Sequence, residues 1–310
     1  MEPITFKPLY MQRVWGGREL EKTYHRPLSG TDTPFGESWE LVDREDAQSI
    51  VDHGEWTGTS LNDLWIHHRA ELFGDYANEG RFPVLLKILD AREALSIQVH
   101  PPSAIAESLG GEPKTEMWFI ADCDPGATLY VGLKRGVNRQ AFEQAIHDGS
   151  VADCVHSIKP QPGESIFIPS GRLHAIGAGF LIHEIQQNSD TTYRVFDWNR
   201  LGLDGKPREL HVESSLASID FGDIEPTMTA PDQDPLADCP HFHTRRVPLV
   251  LSEQLQNPRT DRFSVVLIVD GSLQSTGGRV FGKGQSLLMP KGGISLTATE
   301  VTSVLQVTLP

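Results

Sequence analysis

Apolar positions in this chain fall into short runs cut by polar and turn-forming residues, and that pattern predicts a strand-rich fold. Residues 82–90 (FPVLLKILD) form a nearly continuous apolar run, the pattern of a buried strand, although periodicity alone does not separate it from a buried helix. Residues 95–100 read as a strand stopped by Pro101-Pro102. Residues 114–121 and 128–132 read as strands on either side of an Asp124-Pro125-Gly126 turn. Further short strands are expected between 155 and 196, and again at 264–269, 286–289 and 301–309.

Helical spacing is confined to two places. Leu61, Leu64, Trp65, His68 and Leu72 recur at helical intervals behind Ser60, a good N-cap, which predicts a helix over 60–73. Asn138 and Gly149 bracket a second expected helix over 138–147. Residues 226–240 are polar and rich in Pro and Asp, and are expected to be a linker. The 28 Gly and 21 Pro are spread along the chain, as in a turn-rich β architecture.

One internal similarity organises these pieces. Residues 163–171 (GESIFIPSG) and 284–292 (GQSLLMPKG) share Gly-x-Ser, three apolar residues and Pro-x-Gly. Each predicts a tight turn, a buried strand and a Pro-fixed change of direction. A duplicated β-barrel unit is the reading this favours. The copies differ three residues further on, where His174 follows the first and Ser295 the second, so a site is expected in the first unit alone.

Charge and cysteine content narrow the function. The net charge of −15 disfavours nucleic acid and anionic lipid as partners. An anionic substrate would need a local cluster of Lys and Arg. Three cysteines without a C-x-x-C pair argue against a disulfide framework or a thiolate zinc site. With no apolar leader segment and no membrane-length apolar run, a cytoplasmic location is expected.

Candidate chemistry gathers on strands. In Gln98-Val-His100 and Lys114-Thr-Glu116 the outer residues share a face. With His174 these give two His, one Glu and one Gln, N/O donors suited to a zinc-like divalent ion. Each taken alone has a bland reading, as a hydrogen-bonded structural His or a solvated Glu. His183-Glu184 fails the H-E-x-x-H pattern because Gln187 holds the second His position. Arg194 sits among Tyr193, Val195, Phe196 and Trp198, where a guanidinium suits an enediolate or phosphate oxygen. An Arg194–Asp197 ion pair at a barrel rim is the alternative. No complete dinucleotide fingerprint, P-loop or nucleophile elbow is present.

The segments VWGG (14–17), GESWE (36–40), LLKILDA (85–91), LSIQVHP (95–101), KTEMW (114–118), PSGRLHAIGAG (169–179) and SDTTYRVFDWNR (189–200) together resemble the type I mannose-6-phosphate isomerases, zinc-dependent cupins. The resemblance covers about two thirds of the chain, in the short bacterial form. It implies a mainly β fold of two cupin-type (jelly-roll) β-barrels with a few short helices. Residues 1–235 would be the catalytic domain with helical insertions, and 236–310 a cupin-like domain without metal ligands.

The resemblance further implies one Zn²⁺ per chain on Gln98, His100, Glu116 and His174, with Arg194 and Lys114 as catalytic residues. The reaction would be aldose–ketose interconversion of mannose 6-phosphate and fructose 6-phosphate through a cis-enediolate. Lys114 has two readings, a base if its pKa is depressed or an ammonium that binds a substrate oxygen. Lys87, Lys114 and Arg200 are the candidates for holding substrate and its phosphate. The chain departs from longer members at Pro113, where they carry His. The alternatives are an isomerase of a related phosphosugar, a cupin oxygenase with Fe(II), and a non-catalytic sugar-binding cupin.

Overall fold

Strands dominate the computed structural model, which describes residues 2–76 and 80–310, and the helices are few and short. Apolar runs form the expected strands with slightly shifted ends, among them Val84–Ala91, Ile97–Val99, Glu116–Cys123 and Leu129–Leu133. The helix expected over 60–73 forms in two pieces, Leu61–His67 and Arg69–Leu72, because His68 leaves helical geometry at φ −121°, ψ 19°. Ser60 caps the first piece by accepting from the Asp63 amide. Helix Arg139–Asp148 starts on Asn138, which accepts from the Ala141 amide, and stops on left-handed Gly149. The expected linker is partly structured: Ala237–Asp238 pairs with His243–Leu249, and Leu236 and Ala237 are buried.

Contacts gather the chain into two compact units. One holds Tyr10–Ser38 and Ile88–Pro231; the other holds Met1–Leu9, Trp39–Lys87 and Asp232–Pro310. A simple cut after residue 235 therefore describes only the last of these segments. Aromatic packing is the physical reason that residues 39–87 group with the C-terminal part. Phe263 lies 5.1 Å from Phe73 and 5.6 Å from Phe82, and Trp65 lies 5.0 and 5.3 Å from the same two rings. All four are essentially inaccessible, and burying each such side chain stabilises by about 1.5–3 kcal/mol.

Two sheets, built mainly from the first unit, face each other. One runs in the order Leu9–Gly17, Phe35–Leu41, Val84–Ala91, Phe180–Gln187, Glu116–Cys123, Ser165–Ile168. The other runs Tyr193–Phe196, Ile97–Val99, His174–Ile176, Leu129–Leu133, Val155–Ile158. Leu89, Trp118, Ile120, Ile166 and Ile182 of the first meet Leu129, Val131 and Ile176 of the second in one buried cluster. On the outer face of the second sheet, Ile97, Val99, Ala175 and Val195 pack with Phe142 and Ala145 of the helix Arg139–Asp148. Glycines at 16 and 36 permit the first two strands to touch, since a Cβ on Gly16 would lie 2.3 Å from the Gly36 nitrogen.

The repeated nonapeptide has the same geometry in both units. Its strands, Ser165–Ile168 and Ser286–Met289, are edge strands, each antiparallel to one neighbour, and Gly163, Gly171, Gly284 and Gly292 all take positive φ. Registers align the copies residue by residue: Ile168 opposes Glu116, and its counterpart Met289 opposes Ser264. The second unit thus carries Ser264 and Ser295 where the first carries Glu116 and His174. Ser264 Oγ donates to Asn257 Oδ1 at 2.6 Å and accepts from Gln306 Nε2 at 3.3 Å, a satisfied polar network in place of a ligand.

Candidate metal centre

Register builds one wall of the site. Gln98 opposes Arg194 on one side and His174 on the other, and Val131 follows in the same row. Cross-strand partners share a face, and Val131 belongs to the core between the sheets, so this row points inward. The opposite wall comes from the other sheet, where Glu116 stands between Ile168 and Gln186, and Trp118 beside Glu184. His100 follows the strand Ile97–Val99, just before the Pro pair.

These walls bring His100, Glu116 and His174 together, with one donor atom from each within 4.8 Å of the others. All three are buried. Each histidine Nε2 lies 3.6 Å from a different Glu116 oxygen. The other ring nitrogens are already engaged: Nδ1 of His100 donates to the Thr191 carbonyl and Nδ1 of His174 to the Arg172 carbonyl, each at 2.8 Å. A carbonyl only accepts, so both rings carry their proton on Nδ1 and turn an Nε2 lone pair toward Glu116.

Electrostatics agree with that assignment. Burial, reinforced by the nearby Lys114 charge, lowers the His100 pKa to about 3, and burial also lowers that of His174. Both are neutral, as a metal ligand must be. Burial alone would raise the Glu116 carboxyl, but the Lys114 ammonium holds it well below its ordinary value. The Lys114 ammonium pairs with Glu116 Oε2 at 2.7 Å, and no hydrogen bond reaches Oε1 among the described residues. A buried carboxylate oxygen without a hydrogen bond is costly, and a cation among two lone pairs and two carboxylate oxygens relieves that cost. The donor set therefore fits a divalent metal that takes N/O ligands.

Gln98 borders this group, with Nε2 3.4 Å from His174 Nε2 and Oε1 accepting from Ser96 Oγ at 3.2 Å. A half-turn of the amide exchanges the two ends, facing Oε1 to the histidine and Nε2 to Ser96. Arg194 joins through the same serine, donating from Nε to Ser96 Oγ at 3.2 Å and from Nη1 to the Glu209 carbonyl at 2.8 Å. Asp197 is hydrogen-bonded to Arg200 and Arg208, which displaces the simple Arg194–Asp197 pairing. Lys114 sits inside the cluster, 3.3 Å from His100 Nε2 and 3.8 Å from Glu184 Oε1. Burial works against its charge, yet Glu116 and Glu184 outweigh it and hold its pKa above the ordinary lysine value.

Of the expected substrate-binding residues, only Lys114 belongs to this cluster. Arg200 is held by Asp197 at 2.9 Å, with Glu93 at 3.9 Å. Lys87 is buried in the other unit, 4.9 Å over the Trp39 ring. Sequence reasoning missed Glu184, whose Oε2 accepts from Trp118 Nε1 at 3.0 Å. The signal was strand alternation: Ile182, Glu184 and Gln186 share one face, so a carboxylate stands at an inward position.

Comparison with known proteins agrees with this arrangement. A family model described as "Phosphomannose isomerase type I, catalytic domain" matches residues 4–128. Mannose-6-phosphate isomerase ManA of Bacillus subtilis (strain 168) is 35% identical over 94% of both chains. A mannose-6-phosphate isomerase of Streptococcus mutans is 37% identical over 71% of this chain and 69% of its own length. The crystal structure of a mannose 6-phosphate isomerase from Bacillus subtilis superposes with a TM-score of 0.87 at 27% identity, covering both chains fully. Fold, cluster and likeness along nearly the whole chain lead to one assignment: this chain belongs to the type I phosphomannose isomerases.

Proposed function

We propose that the chain is a zinc-dependent isomerase that interconverts mannose 6-phosphate and fructose 6-phosphate through a cis-enediolate. The observation that carries the metal reading is Glu116, buried with no hydrogen bond on Oε1 among the described residues and faced by two histidine Nε2 atoms. Gln98, His100, Glu116 and His174 would hold one Zn²⁺ per chain. Bound there, zinc would supply Lewis-acid stabilisation of negative charge on the sugar oxygens.

The residues divide the remaining work. Lys114, kept protonated by two carboxylates, donates to a sugar oxygen. Arg194 offers a fixed cation to the enediolate oxygens. Glu184, beside the Lys114 ammonium, is the carboxylate assigned to carry the proton from C2 to C1 of the open-chain sugar. The C2–H electron pair forms the C1–C2 double bond as the C1 carbonyl pair moves onto O1. The O2 proton passes to O1, and the O2 electron pair then forms the C2 ketone as the double-bond pair takes the proton from Glu184 at C1. Arg200 is assigned to the phosphate, which competes there with Asp197. Residues 1–235 carry this chemistry, and 236–310 form a domain that takes no part in it. Three free cysteines support action in the reducing cytoplasm.

The test is a coupled assay for fructose 6-phosphate, with mannose 6-phosphate compared against other aldose phosphates at equal concentration. The highest kcat/KM with mannose 6-phosphate is expected. Turnover of another aldose phosphate with none of this one overturns the substrate assignment.

A further inference from the structure

His174 takes its orientation from a backbone carbonyl, and that carbonyl belongs to an arginine whose side chain is itself clamped. Arg172 donates through Nε and Nη2 to the two oxygens of Asp223, at 2.8 and 2.7 Å, and through Nη1 to the Phe167 carbonyl at 2.6 Å. Both partners of the pair are largely buried, each side chain 16% exposed. Asp223 comes from the segment after the helix Val212–Ser218, some fifty residues downstream. That segment grips the same turn by its backbone, the Asp220 amide donating to the Gly171 carbonyl at 2.8 Å. Gly171 and Asp223 are also tied to neighbouring strands, Gly171 donating to the His100 carbonyl and Asp223 accepting from the Leu133 amide.

We infer that Arg172 and Asp223 are positioning residues for the metal ligand His174, and that their ion pair sets zinc affinity by fixing the carbonyl that holds the imidazole. The physical argument is geometric. A bidentate guanidinium–carboxylate pair fixes both direction and distance. With Phe167 as a third anchor, the residue 172 backbone has one place to be. Its carbonyl then enforces the Nδ1–H tautomer of His174 and the aim of Nε2. Without the clamp the turn between Pro169 and His174 gains freedom, and the ring must be ordered when metal binds. Outer contacts of this kind are worth 10–100-fold in metal affinity.

The inference rests on the metal reading, and the test separates the two. Zinc affinity of the full-length protein is measured by competition with a chromophoric chelator for the parent chain, Asp223→Asn, Asp223→Glu and the double variant Arg172→Gln/Asp223→Asn. Folding is checked by circular dichroism. Histidine ring nitrogen shifts of the metal-free proteins report the His174 tautomer. Asp223→Asn is expected to weaken zinc binding about 10–100-fold and to mix the tautomers, with the double variant no weaker than the single. Asp223→Glu, which keeps the charge, should recover part of the loss, and the double variant serves as the readout if Asp223→Asn does not fold. Unchanged affinity in a folded Asp223→Asn or double variant, with a single Nδ1–H tautomer, overturns the inference. A parent chain that binds no zinc overturns the metal reading itself.

Discussion

Replacing Glu116 by Gln removes one charge from a cluster in which every neighbour responds. The Lys114 ammonium stands 2.7 Å from Glu116 Oε2 and 3.8 Å from Glu184 Oε1. At an effective dielectric constant of 20 these separations correspond to attractions of about 6 and about 4 kcal/mol. The variant deletes the stronger term but keeps an amide dipole near the ammonium, and Glu184 still balances its charge. Breaking a buried ion pair costs about 3–5 kcal/mol, and with Glu184 in place the loss falls at the low end, about 3 kcal/mol. In the metal-free protein this is read from urea unfolding followed by tryptophan fluorescence, since Trp118 is buried 5.4 Å from His174. The same variant should lose tight zinc binding, because two histidines and a neutral amide replace a charged donor set. Unchanged metal-free stability together with unchanged zinc affinity would refute the assignment of Glu116 as both ion-pair partner and ligand.

Other perturbations give separate signatures. Arg194→Ala should keep one zinc per chain and lower kcat about 10²–10³-fold, the usual cost of removing a preorganised donor, as read from metal content and steady-state kinetics. Acid should destabilise the metal-free protein: His100 has a folded pKa of about 3 against about 6.5 when unfolded, so its contribution is complete above pH 6.5. That contribution is lost as pH falls toward 3, by at most about 5 kcal/mol, and urea midpoints between pH 7 and 4 should show a slope that His100→Gln flattens. Asp90 has the opposite sign, since burial raises its pKa to about 6 and disfavours its charged form in the fold. Asp90→Asn should therefore raise the melting temperature at pH 8, provided Asn keeps the bond that Asp90 accepts from the Glu19 amide at 2.6 Å, with a smaller gain at pH 4.

Much of the site was readable because it is built on strands. The alternation in Gln98-Val-His100 and Lys114-Thr-Glu116 brings paired side chains to one face, and the turn after Gly171 delivers His174. The two copies of the nonapeptide align from sequence alone, and their registers set Ser264 where the first copy has Glu116. What could not be read depends on contacts distant in the chain. Nothing local to residues 39–87 announces that Phe73 and Phe82 pack on Phe263, which is why the compact units are not contiguous in sequence. Glu184 escaped because its role depends on the register that sets it beside Trp118, and Arg172 because its partner is fifty residues away. His68 interrupts a helix whose apolar spacing continues past it, a tertiary choice that periodicity does not encode.

The His100–Glu116–His174 cluster is proposed to hold the metal on which isomerisation depends. The most direct measurement removes metal with a chelator, returns zinc in steps, and follows the rate of fructose 6-phosphate formation from mannose 6-phosphate. Turnover that vanishes on chelation and rises linearly to a break at one zinc per chain is the predicted result. Full turnover in the metal-free protein, or restoration by zinc in a Glu116→Gln/His174→Ala variant, would contradict it.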